Sequence, residues 1–193
     1  MESNVKKEIQ SAIRTHRVML DELESGGIEI VAKAAEMITN SLRQGGCIYI
    51  CGNGGSAADA QHIAGELTGR FRRERMAMPA VALSTNTSVI TSIANDYGYE
   101  NVFARQVEAL VKKGDILWVI STSGSSANVI LAAESAKNKG ARILAFTGRA
   151  GSRLEKLADI CLCADAEATF QSQQIHQVAY HIICGLVEKS FCR

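Results

Sequence analysis

The sequence predicts an α/β domain with a five-stranded parallel sheet, and three observations carry that expectation. Five short runs are almost continuously apolar, as strands buried on both faces should be: Cys47–Cys51, Pro79–Leu83, Ile116–Ser121, Arg142–Thr147 and Asp159–Cys163. Segments of helical periodicity alternate with them, the pattern of β-α-β crossovers. Two of the strands lead directly into loops of glycine and serine before the next helix, where open α/β sheets hold ligands.

Ahead of the sheet, Val5, Ile9, Ala12/Ile13, Leu20 and Leu23 recur at helical spacing, and Gly26-Gly27 is expected to end that helix. A second helix carries Val31, Ala34, Ala35, Ile38 and Leu42 and stops at Gly45-Gly46. Further helices are expected near residues 57–70, 87–94, 100–112, 126–139 and 152–157. A last one, near 170–189, carries Ile175, Val178, Ile182, Ile183, Leu186 and Val187. A minimal doubly wound domain has no place inside for the first helix. Residues 1–27 are therefore expected to pack on a second copy, giving a homo-oligomer. With a single proline, no low-complexity tract and no repeat, the chain reads as one domain over residues 1–193.

Composition excludes several function classes. The formal net charge is +1, so no overall field draws the chain to nucleic acid or to an acidic membrane. No apolar run approaches the ~20 residues of a membrane span, and the first eight residues lack the apolar core of a signal peptide. The six cysteines form no CxxC pair, and four of them lie in apolar runs where a thiol acts as a small hydrophobe. A reducing cytoplasm is the expected setting. The one basic cluster, Arg70 to Arg75, reads as a solvated loop.

The first strand runs into Gly52-Asn53-Gly54-Gly55-Ser56. Such a loop can bring backbone N–H groups and a helix N-terminus to an anion; it can equally be a tight turn with Ser56 capping the helix. It matches neither a Walker loop nor GxGxxG. The third strand ends in Ser121-Thr122-Ser123-Gly124-Ser125-Ser126, which offers neutral donors suited to a phosphate monoester, or a serine-rich cap. Both loops fall at one switch point if the strand order is 2-1-3-4-5, the flavodoxin-like order.

Beyond the first loop, His62 and Glu66 stand four apart, sharing a helix face about 6 Å apart along the axis. That spacing can chelate a metal or set an acid and a base on one substrate. The last helix carries Gln173, Gln174, His176 and His181 among apolar residues, where a histidine is more often part of a core or an interface. Asn95-Asp96 forms either a helix terminus or part of a cleft lining.

Five segments, CGNGGS at 51–56, DAQHIAGELTGRF at 59–71, IANDYG at 93–98, ISTSGSSANV at 120–129 and QIHQVAYH at 174–181, resemble the phosphoheptose isomerases. These are single-domain enzymes of the sugar-isomerase (SIS) fold in bacterial heptose biosynthesis, which supplies lipopolysaccharide or capsule precursors. The resemblance runs nearly end to end. It implies conversion of sedoheptulose 7-phosphate to D-glycero-D-manno-heptose 7-phosphate by a homotetramer with active sites near subunit interfaces, often with zinc. It implies substrate contacts at Asn53, Gly54, Gly55 and Ser56, a phosphate held by Ser121, Thr122, Ser123 and Ser126, and a sugar lined by Asn95 and Asp96. His62, Glu66, Gln173 and His181 match the metal positions, and Glu66 with His181 the acid–base pair. Gln173 and His181 are eight apart, about 12 Å along one helix, so either Gln173 lies in an unwound helix start or subunits share the site. Two other readings use the same fold: a protein that binds the replication initiator, whose sequence lacks a glutamate matching Glu66, and a sugar-phosphate sensor.

Overall fold

The structure, a computed structural model, describes residues 2–192. Five parallel strands, β1 (Ile48–Gly52), β2 (Ala80–Ala82), β3 (Ile116–Ser121), β4 (Arg142–Thr147) and β5 (Ile160–Cys163), pair in the order β2-β1-β3-β4-β5. The order in which strands are added changes sense between β1 and β3, while all five strands stay parallel. The register sets Cys51 opposite Val119 and Gly52 opposite Ile120, so the loops that follow these two strands open side by side at the carboxyl edge of the sheet.

Among the described residues, eight α-helices accompany the sheet: α1 (Glu2–Glu22), α2 (Ile28–Arg43), α3 (Gly55–Thr68), α4 (Thr87–Tyr97), α5 (Ala104–Leu110), α6 (Ala127–Asn138), α7 (Arg153–Leu157) and α8 (Thr169–Phe191). Alternation along β3 explains the two apolar layers. Ile116, Trp118 and Ile120 face Ile38, Ile63, Leu67 and Tyr180 of α2, α3 and α8, while Leu117 and Val119 face Val107, Val129 and Ala133 of α5 and α6. Each fully buried Ile or Leu in these layers contributes about 1.5–3 kcal/mol.

Local chemistry moves some boundaries. β2 starts after Pro79, which has no N–H to donate but whose carbonyl accepts from Ile48 N at 3.0 Å. The helix expected over 100–112 is divided into a 3₁₀ turn at Tyr99–Asn101 and α5, following Gly98 at φ +87°.

The Gly26-Gly27 pair does not end the first helix. Residues Leu23–Gly27 form a π-helical turn that joins α1 to α2, and Gly27 stays right-handed at φ −97°, ψ −16°. A Cβ on Gly27 would lie 2.5 Å from Leu23 Cδ1, so the glycine admits the wider turn rather than breaking the helix. The outer residues of α1 leave Val5, Ile9 and Ile13 more than half exposed. No helix among the described residues is long and apolar enough to cross a membrane.

Candidate active site

The two loops after β1 and β3 form one cleft of about 290 Å³. Asn53, Gly54, Gly55 and Ser56 line it from the first loop, Ser121, Thr122 and Ser126 from the second, and Thr169 and Gln173 from the start of α8. No lysine or arginine lines it among the described residues, so an anion held there would meet backbone N–H groups, hydroxyls and the positive end of α3. Gly54 makes the entry possible: its φ of +55° with ψ −121° is a conformation other residues rarely adopt. Gly54 is also the N-cap, without a side-chain cap bond, so Ser56 does not cap the helix as the turn reading expected. Ser56 is buried in the first turn of α3 and lines the cleft instead.

In the second loop Ser121 is the hub. Its hydroxyl lies 3.1 Å from that of Ser126 and 3.4 Å from that of Ser123, and Ser123 Oγ accepts from Ser125 N at 3.3 Å. The exposed Ser123 therefore shapes the loop without lining the cleft. The loops are tied together by Asn53 and Asn128. Each carboxamide N–H donates to the other's oxygen at 2.9 Å, and the Tyr99 hydroxyl adds a bond to Asn53 Oδ1 at 3.2 Å. Asn128 and Tyr99 were not singled out from sequence, although Asn128 follows the serine loop by two residues and falls on the buried side of α6.

His62, Glu66 and His181 converge beyond this cleft. His62 Nε2 stands 3.0 Å from Glu66 Oε1 and 3.4 Å from His181 Nε2, and the three ligand-type atoms lie within 4.8 Å of one another. Two imidazole nitrogens and a carboxylate oxygen at such spacing are a donor set that fits zinc. The other nitrogen of His62 meets the Tyr180 hydroxyl at 3.0 Å, and that hydroxyl also reaches Asp59 Oδ1 at 3.4 Å. Burial raises the Asp59 carboxyl above its ordinary range, against the lowering pull of Tyr180 and His62.

Gln173 is not in an unwound segment: α8 is continuous from Thr169, and the Gln173 carboxamide lies over Gly55, in the cleft. Asn95 and Asp96 sit on the exposed last turns of α4, bonded to each other at 2.7 Å, and neither lines the cleft. His176 is fully buried; its Nε2 meets the Thr147 carbonyl at 2.9 Å, and burial pushes its pKa down to about 4.

The basic segment 70–75 is a solvated loop, as expected, at Arg70, Arg72, Arg73 and Glu74, which are exposed, but not at its last residue. Arg75 has a side chain with 0% exposure. It donates to the carbonyls of Glu66 (2.6 Å), Gly69 (2.7 Å) and Met76 (3.0 Å). The buried Glu188 of α8 accepts from the backbone N–H groups of Phe71, Arg72 and Arg73 at 2.9–3.2 Å. Burial alone would raise the Glu188 carboxyl; the three amides and Arg75 outweigh it, leaving the carboxyl below the ordinary range. One signal in the sequence could have found Glu188: it follows Cys184 by four and Val187 by one, on the apolar phase of α8.

A sheet of this order, with two anion-type loops at its switch point and a His/Glu/His cluster beside them, defines a sugar-isomerase type of domain, and the SIS domain family matches residues 13–148. A phosphoheptose isomerase of Rhodospirillum rubrum is 48% identical over 162 residues, 84% of this chain and 86% of that one. One of Nitratiruptor sp. is 44% identical over 191 residues, 99% of this chain and 100% of its own. The solved phosphoheptose isomerase of Neisseria gonorrhoeae superposes with a TM-score of 0.91 at 38% identity, covering 96% of this chain and 99% of that one. The chain belongs to the phosphoheptose isomerase family. It is an isomerase, and neither the initiator-binding nor the sensor reading is favoured by these relatives.

Proposed function

We propose that this enzyme interconverts sedoheptulose 7-phosphate and D-glycero-D-manno-heptose 7-phosphate through an enediol(ate). The observation that carries the reading is the pairing of a cation-free phosphate cradle with the His62/Glu66/His181 cluster. The phosphate is held by the Gly54 and Gly55 amides and by the hydroxyls of Ser56, Ser121, Thr122 and Ser126, with Ser123 supporting the loop and Asn53 and Gln173 at the rim. Asn95 and Asp96 face the sugar from α4 once the assembly is complete.

Glu66 serves as the base that takes the proton from C1 and returns it at C2. His181, with a donor and an acceptor nitrogen, suits transfer between the two oxygens. His62, Glu66 and His181, joined by Gln173, are the residues that would hold zinc. Zinc, when bound, supplies polarisation of the substrate carbonyl. Glu66 offers Oε1 to the cluster, and Oε2 remains for the proton.

Gly55 and Glu66 are eleven residues apart on α3, roughly 16 Å of helix, and Gln173 and His181 are separated by about 12 Å of α8. These spans support a site completed by a second subunit near an interface. Exposed Val5, Ile9 and Ile13 on α1, and Leu20, Ile28, Ile182 and Leu186 nearby, supply apolar surface for a homotetramer. Heptose biosynthesis for lipopolysaccharide or capsule precursors, in the cytoplasm, is the setting that fits this reaction.

A coupled assay with sedoheptulose 7-phosphate, before and after chelation and with zinc restored, tests the reading. Zinc-dependent turnover is the expected result. Turnover that survives chelation retains the isomerase and removes zinc from it; no turnover under any condition overturns the substrate assignment.

A further inference from the structure

Three consecutive amides, those of Phe71, Arg72 and Arg73, close on one buried carboxylate, and the segment they belong to touches both halves of the acid–base pair. Such a concave run of N–H groups is an anion nest; here its anion is an internal side chain, Glu188, seven residues past His181 on α8. The Phe71 ring that leaves the nest stacks on the His181 ring, with centroids 5.6 Å apart and planes 14° from parallel.

The other end of the segment reaches α3. Helix α3 ends at Thr68, so the carbonyls of its last turn lack helical partners. Gly69 N satisfies that of Gly65 and Met78 N that of Leu67. The carbonyl of Glu66 is satisfied by Arg75 Nη2 at 2.6 Å. A buried cation at a helix C-terminus also meets the negative end of the dipole. The same Arg75 has its Nε 3.7 Å from Glu188 Oε1. One carboxylate on α8 thus fixes a strap whose two contacts are the ring of His181 and the backbone of Glu66.

We propose that Glu188 and Phe71 are positioning residues of the isomerase: Glu188 organises the 71–75 strap, which holds His181 by stacking and Glu66 by capping, at the separation that proton transfer needs. This rests on the assignment of Glu66 and His181 as the acid–base pair.

The test uses steady-state kinetics on full-length Glu188→Gln, Phe71→Leu, Phe71→Tyr and Glu66→Gln enzymes, each first confirmed folded by its circular dichroism. Loss of a group that orients active-site ligands costs about 10- to 100-fold. Glu188→Gln and Phe71→Leu are expected to lower kcat by such a factor with KM little changed, because the cradle lies elsewhere. Phe71→Tyr, which keeps the flat ring, is expected to stay near the original kcat. A role confined to filling space would be met by leucine, so an unimpaired Phe71→Leu enzyme, or equal losses in the leucine and tyrosine variants, overturns the proposal. Should Glu188→Gln not fold, the two Phe71 variants decide it. The Glu66→Gln enzyme separates the two ideas: activity there sinks the acid–base assignment, whereas an inactive Glu66→Gln beside an unaffected Phe71→Leu sinks only the strap.

Discussion

Asn53 and Asn128 face each other as a reciprocal carboxamide pair, 2.9 Å in both directions, and so bind the loop after β1 to the helix that follows the serine loop. Asn128 is 3% exposed, and the pair forms the seam between the two loops of the proposed phosphate cradle. Replacing Asn128 by Ala leaves the Asn53 amide without its buried partner, at a cost of about 1–3 kcal/mol. KM for the sugar phosphate is expected to rise about tenfold, with a smaller fall in kcat. Initial rates over a substrate series check it; unchanged KM would detach the seam from binding.

Ser121 is a hub rather than one hydroxyl among several. Ser121→Ala removes the contacts to both Ser123 and Ser126. An uncharged hydrogen-bond loss predicts KM raised roughly 3- to 10-fold, with kcat nearly constant since the phosphate is bound alike in ground and transition states. Inorganic phosphate should weaken as an inhibitor in parallel.

A methyl group at Gly55 would lie 2.6 Å from Gln173 Nε2 and 3.0 Å from Cδ and Oε1. The obstacle is the end of a flexible side chain, so Gly55→Ala should change stability by less than about 1 kcal/mol. The Gln173 carboxamide must move, however, and kcat/KM is expected to fall by about tenfold or more. Thermal melting and kinetics on the same sample separate the two effects.

His176 predicts an acid-sensitive fold. Its neutral form is favoured in the core, with a pKa of about 4 against an ordinary 6.5. The unfolded chain therefore takes up the proton first, and stability that is full above pH 6.5 is lost as pH falls toward 4. The loss should be roughly 3 kcal/mol. Urea midpoints between pH 7 and pH 4 measure it, and His176→Gln, which can still donate to the Thr147 carbonyl, should flatten that slope.

The strands were legible because their chemistry is local. β3 and β4 fall at Ile116–Ser121 and Arg142–Thr147 as the apolar runs require, and their parallel order follows from the helices between them. The His62–Glu66 pair was legible for the same reason, being four residues apart on one helix. What escaped has partners far along the chain: Asn128 lies 75 residues from Asn53, and Glu188 lies 117 from Phe71. Beside Lys189, Glu188 resembles any charged residue at a helix end, and Arg75 resembles its exposed neighbours until that carboxylate is set beside it. The two glycines at 26–27 misled for a different reason: glycine commonly stops a helix, yet here both remain right-handed.

That π turn has a consequence for how the chain can change. An i→i+5 turn holds one residue more than an α-turn, so deleting Gly26 would leave a plain helix with α1 aimed as before. Deleting one residue midway along α1 would instead swing everything ahead of it by about 100°, turning Val5 and Ile9 to a new bearing. The sheet and its two loops would keep their own packing. If a second subunit completes the site, as proposed, association and chemistry are linked in this chain, and a one-residue edit in α1 should alter both.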